Sequence, residues 1–211
     1  MSSGTPTVVL LAGRCGTGKS TFAPYLARRL HGSVLDSDDL FDAPRSAVAS
    51  ASGLGLAVVD GYTWREKVHP RLLELLLALS ACAASPSSPV VAVSPWTAML
   101  SSPERFAHAT SGLDVSWHWV VLQAEPGVCK YRISRRARPL DARKLERWND
   151  YDASARALPV PYSAYVVDTS FVRNWDPVAA EVAAWLDRGS APSSPRGARR
   201  RIKEGEHGGA S

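Results

Sequence analysis

Eight residues near the start of the chain, Gly13-Arg14-Cys15-Gly16-Thr17-Gly18-Lys19-Ser20, restrict its folding more than any other stretch. They read G-x-x-x-x-G-K-S, and an apolar run, Val8-Val9-Leu10-Leu11-Ala12, leads into them. Strand, glycine-rich turn and helix N-terminus is the context in which this pattern holds phosphate. Glycines let the backbone turn so that successive N–H groups point inward, and the helix N-terminus adds a positive field. In that geometry Lys19 reaches the β- and γ-phosphates and Ser20 holds a magnesium ion. Gly13, Arg14, Cys15, Gly16, Thr17, Gly18, Lys19, Ser20 and Thr21 are therefore the expected nucleotide-binding residues. ATP and Mg2+ are the expected donor and ion, with GTP left open.

A strand as continuously apolar as Thr7–Ala12 belongs inside a sheet covered on both faces. Ser33–Asp36, Val90–Val93, Trp117–Leu122 and Tyr165–Asp168 read as further strands. Helical patterns alternate with them over Lys19–His31, Arg65–Ala84, a short segment holding Glu104 and Arg105, Glu125–Arg147 and Pro177–Leu186. This alternation predicts an α/β fold of three layers, a five-stranded parallel sheet with helices on both faces. Residues 1–188 read as one domain and 189–211 as a disordered basic tail rich in Gly, Ser, Pro and Arg. Residues 42–63 show no readable pattern, and 150–161 read as a loop with room for a short helix.

The formal net charge is +5. The tail contributes +3 of it, leaving +2 on the body, which is weak support for a nucleic-acid partner. Three widely spaced cysteines, Cys15, Cys82 and Cys129, form no zinc or C-x-x-C pattern, so reduced thiols in a cytoplasmic protein are expected. The apolar stretch Leu72–Ala84 is too short to span a bilayer.

The second strand delivers Asp36-Ser37-Asp38-Asp39, and the carboxyl ends of strands are where open α/β sheets place ligands. One reading is an acidic helix N-cap. The other is a carboxylate beside Mg2+ and an acceptor hydroxyl, as phosphoryl transfer requires. Arg65 reads as an anion clamp or a surface arginine, and Trp96 as a pocket wall or a core residue. Arg132, Arg135, Arg136, Arg138 and Arg143 cluster around Pro139-Leu140-Asp141. They suit either a solvated helix face or a lid, at about 132–147, that closes over phosphates.

These residues resemble the small P-loop kinases related to shikimate kinase, gluconate kinase and adenylylsulfate kinase. Leu35-Asp36-Ser37-Asp38 resembles the D-x-D of the first and the L-D-G-D of the last. Trp64-Arg65, Arg138-Pro139-Leu140, and Arg156 with Pro161-Tyr162 and Val167-Asp168-Thr169 resemble shikimate kinase segments. The chain departs at Ser94-Pro95-Trp96, where shikimate kinases carry glycines and adenylylsulfate kinases Ser-Pro-Tyr, and in the longer spacing from Arg156 to Tyr162. The resemblance implies γ-phosphoryl transfer to a small-molecule hydroxyl by a monomer or homodimer. Lys19, Asp36, Asp38 and Arg138 would be catalytic, and Ser20 with Asp36 would hold the metal. Arg132 and Arg135 would meet the nucleotide, and Asp38, Arg65, Trp96 and Arg156 the acceptor. Polynucleotide 5′-hydroxyl kinases and nucleotide-binding regulators are the alternatives.

Overall fold

The computed structural model describes residues 4–42, 68–136, 141–156 and 159–189, without the side chains of residues 143 and 154–156. Arg65 and Arg138, the side chain of Arg156 and the tail beyond residue 189 lie outside the described residues.

Five strands, β1 (Thr7–Ala12), β2 (Ser33–Asp36), β3 (Val90–Val93), β4 (Ser116–Gln123) and β5 (Tyr165–Asp168), form one sheet. Their spatial order is β2-β3-β1-β4-β5, and every pairing is parallel. The strand β1 thus lies at the centre, and the predicted three-layer α/β fold is what the chain adopts. The helices are α1 (Lys19–Arg29), α2 (His69–Ala83), α3 (Thr97–Leu100), α4 (Pro103–Thr110), α5 (Pro126–Arg136), α6 (Ala142–Glu146), α7 (Trp148–Arg156) and α8 (Trp175–Asp187). Residues 37–42 are also helical. Among the described residues no helix is long and apolar enough to cross a membrane.

Because side chains alternate along a strand, β1 feeds two cores. Val8 and Leu10 pack with Leu73, Leu76 and Leu77 of α2 and with Trp96 and Trp119. Val9 and Leu11 pack with Phe22 and Leu26 of α1 and Val178, Val182 and Trp185 of α8. Burying a side chain of this size contributes about 1.5–3 kcal/mol.

Residues 148–156 form a nine-residue helix, which takes up the room that the 150–161 segment left for one and starts two residues earlier. After α1 the left-handed position falls on His31 at φ 55°. Gly32 is needed for close approach: a Cβ there would lie 2.0 Å from the Pro89 carbonyl oxygen.

Candidate active site

The carboxyl edge of the sheet is built around the turn from β1 into α1. Gly13, Gly16 and Gly18 all have positive φ, at 139°, 83° and 89°. Two of them also lack room for a side chain. A Cβ on Gly13 would lie 2.4 Å from the Leu122 carbonyl oxygen, and one on Gly16 2.6 Å from that of Cys129. The glycines therefore serve both backbone shape and close approach. Thr17 is buried, and its carbonyl accepts a hydrogen bond from the Thr169 hydroxyl at 2.8 Å, tying the loop to the end of β5.

Lys19 folds over this loop and donates to the carbonyls of Gly13 (2.8 Å) and Arg14 (3.0 Å). Burial pushes its pKa down, and the nearby Cys15, Asp38 and Asp36 oppose that shift. Ser20, in the first turn of α1, donates to Asp36 Oδ2 at 2.8 Å. Asp36 Oδ1 accepts the Asp38 N–H at 2.9 Å, so the same carboxylate starts the helical turn at 37–42. This bond bears out the N-cap reading of the aspartate, and its second oxygen stays on the phosphate-loop side, at Ser20. Burial raises the Asp36 pKa, against the bonds from Asp38 and Ser20. A hydroxyl and a carboxylate meeting at a helix N-terminus are hard oxygen donors that suit Mg2+.

Other predicted residues sit elsewhere. Trp96 is fully buried, stacks edge-on against Trp119 with centroids 6.3 Å apart, and donates from Nε1 to the Ala92 carbonyl. It is a core residue, not a pocket wall, because no part of its ring reaches solvent. Its φ of 56° lies in the left-handed region that favours glycine. Arg132 braces two segments by donating to the carbonyls of Gly16 (3.3 Å) and Thr169 (2.8 Å). Arg135 is exposed. The Arg14 side chain pairs with Asp152 of α7 and donates to the Ala124 carbonyl.

Sequence reasoning missed a second group. Cys15 donates its backbone N–H to the Tyr151 hydroxyl at 2.8 Å. Its sulfur lies 2.7 Å from Arg136 Nη2 and 3.5 Å from Lys144 Nζ. Asp141, almost fully buried, accepts from both cations, at 2.5 Å from Arg136 Nε and 2.8 Å from Lys144 Nζ. The i,i+3 spacing of Asp141 and Lys144 was visible in the chain, but the approach of α5, α6 and α7 to the loop was not. Ser94, one residue past β3, holds a buried hydroxyl with no hydrogen-bond partner among the described residues.

A model of the AAA domain family matches residues 8–159. The chain belongs to that family. A search of curated proteins returns no match. Among solved structures, the family member is similar to a protein of Chloroflexus aurantiacus described as a candidate kinase, at 18% identity and TM-score 0.62, covering 89% of this chain and 100% of that one. It is also similar to the APS kinase of Mycobacterium tuberculosis in complex with AMPPNP and APS, at 18% identity and TM-score 0.53, over 87% and 98% of the two chains. A gluconokinase from Sinorhizobium meliloti matches at 18% identity and TM-score 0.53, over 88% and 94%. These likenesses establish the fold, and they match the small P-loop kinase type that the motifs resemble.

Proposed function

We propose that this AAA domain protein is an ATP-dependent kinase that moves the γ-phosphoryl group to a hydroxyl of a small metabolite or natural product. The observation that carries the reading is the junction of Ser20 and Asp36 at 2.8 Å, with Asp38 anchored to the same carboxylate. It sets an acidic residue beside a phosphate-binding loop at one sheet edge. The kinases among the similar structures support it.

Lys19 would exchange the Gly13 and Arg14 carbonyls for phosphate oxygens, and the loop N–H groups would hold the remaining charge. Ser20 and Asp36 would hold a magnesium ion, which supplies neutralising charge at the triphosphate. Asp38 would orient the acceptor hydroxyl. The hydroxyl oxygen bonds to the γ-phosphorus as the bond to the bridging oxygen breaks. ADP leaves with that electron pair, and the hydroxyl proton passes to Asp38. Positioning and charge dominate this reaction, so a strong base is not required. The +2 charge of the body favours a small acceptor over a polynucleotide. GTP is retained as an alternative donor.

Labelled ATP incubated with a panel of hydroxyl metabolites should yield a phosphorylated product. Lys19→Ala should abolish transfer with the circular dichroism spectrum unchanged. Asp38→Asn should keep ATP binding and lower transfer by roughly a hundredfold, the usual scale for a proton-handling group. Near-normal transfer by Asp38→Asn removes that residue from the role. Hydrolysis stimulated only by a protein partner, with no phosphorylated small molecule, replaces the kinase reading with a regulatory one.

A further inference from the structure

Helix α7 takes hold of the phosphate loop at two consecutive residues. Arg14 pairs with Asp152, and Cys15 donates its backbone N–H to the Tyr151 hydroxyl at 2.8 Å. Neighbours along the helix thus meet neighbours along the loop, across 138 and 136 positions of chain. The ion pair is nearly out of water, with side-chain exposures of 9% and 5%. Its arginine also donates to the Ala124 carbonyl at 2.5 Å, so the guanidinium is fixed from two sides.

What α7 brings to the loop is oxygen. A carboxylate stands at the one arginine of the eight-residue motif, and a hydroxyl oxygen at one of its amides. Arginine and backbone N–H are the groups that also receive phosphate oxygens. The other loop groups are satisfied from close by: Lys19 by the Gly13 and Arg14 carbonyls, and Ser20 by Asp36. Lys19 and Ser20 can change partners by turning a side chain. Asp152 and Tyr151 are carried on a helix from a distant part of the chain.

We infer that α7 is an internal ligand of the phosphate loop, an autoinhibitory clasp in which Asp152 and Tyr151 hold Arg14 and the Cys15 N–H against a polyphosphate. Nucleotide and clasp then compete for the same groups. The inference rests on the nucleotide reading above and adds the element that nucleotide must displace.

The energetics suit a clasp that opens. An anion taking the place of Asp152 leaves the Arg14 charge compensated, so the loop side of the exchange is nearly balanced. The α7 side is not. A carboxylate so deeply buried that loses its arginine gains by moving toward water. At 5% exposure it reaches water only if the helical turn that carries it shifts. Tyr151, one residue earlier on the same turn, leaves the Cys15 N–H in the same motion. One displacement therefore frees both loop groups.

The test uses the full-length protein with ADP and Mg2+. Hydrogen exchange at residues 148–156 should quicken several-fold when ADP is bound, while exchange in the loop and α1 slows. A ligand that only tightens the fold slows both. By calorimetry the double variant Tyr151→Phe with Asp152→Asn should bind ADP roughly tenfold or more tightly, the scale of removing one neutral and one charge-assisted hydrogen bond from the competing state. Tyr151→Phe alone, which keeps the ring, should show the smaller part of that gain, and it carries the test if loss of the Asp152 charge unfolds the protein. Slower exchange at 148–156 with ADP bound, or variants that bind ADP no better than the wild type, overturn the clasp. Binding by the variants with none by the wild type is the clasp at full strength. No binding of ADP or ATP by any of these proteins overturns the nucleotide reading itself, a result separate from the others.

Discussion

Cys15 carries a backbone N–H that the Tyr151 hydroxyl and a phosphate oxygen cannot both use. Burial raises the Tyr151 pKa, so its hydroxyl stays protonated at working pH. Tyr151→Phe removes the competitor and keeps the ring. A net hydrogen bond is worth about 1 kcal/mol, so ADP affinity should rise about fivefold. Titration of the variant by calorimetry checks this, and an affinity loss would mean that the hydroxyl helps to hold nucleotide. Asp36 shows a different economy at the same scale: one oxygen starts a helical turn while the other meets Ser20. A single aspartate thus caps one helix and ties it to the first turn of another.

At the level of elements, what was legible depended on whether the signal was local. The strands are short apolar runs, and their period shows without partners, as in Val8–Leu11 and Val90–Val93. The phosphate loop is likewise spelled out within eight residues by Gly13, Gly16, Gly18, Lys19 and Ser20. Helix α7 carries no such signal, because Trp148-Asn149-Asp150-Tyr151-Asp152 is polar and turn-like in composition. Its role comes from contacts to Arg14 and Cys15, well over a hundred positions away in the chain. For the same reason the arginine cluster was visible while its members could not be sorted: Arg132 braces backbone, Arg135 is exposed and Arg136 meets Cys15. Trp96 was open to a pocket reading because it follows a strand, but a large tryptophan there is more often core, and its burial places it in the core. The α1–β2 turn offers a test remote from the proposed phosphate contacts. Gly32→Ala forces a Cβ onto the Pro89 carbonyl, and should cost about 2–4 kcal/mol, the range for overpacking with backbone strain. Chemical denaturation should show the lower midpoint, and an unchanged midpoint would mean that the turn simply opens.

Across the whole molecule, acid should loosen the sheet before it damages the loop. His118 of β4 packs edge-on to Trp185 of α8, with centroids 6.0 Å apart. Burial lowers its pKa below the ordinary 6.5. A histidine whose folded pKa is depressed contributes stability that is complete above 6.5 and is lost as pH falls through the folded value. Melting temperature should therefore decline as pH falls below about 6.5, and His118→Gln should flatten that limb. An equal decline in the variant would assign the acid limb to carboxylates instead.

The two ends of the described chain meet at the loop. Trp175, the first residue of α8, stacks with Phe22 of α1 at 5.3 Å between centroids, and a Cβ on Gly18 would touch its ring at 3.2 Å. Thr169 closes on Thr17 from the same side. The loop's shape is thus held by side chains 152 or more positions downstream, and a cut between α7 and β5 would leave the glycine-rich turn intact in sequence but without two of the residues that brace it.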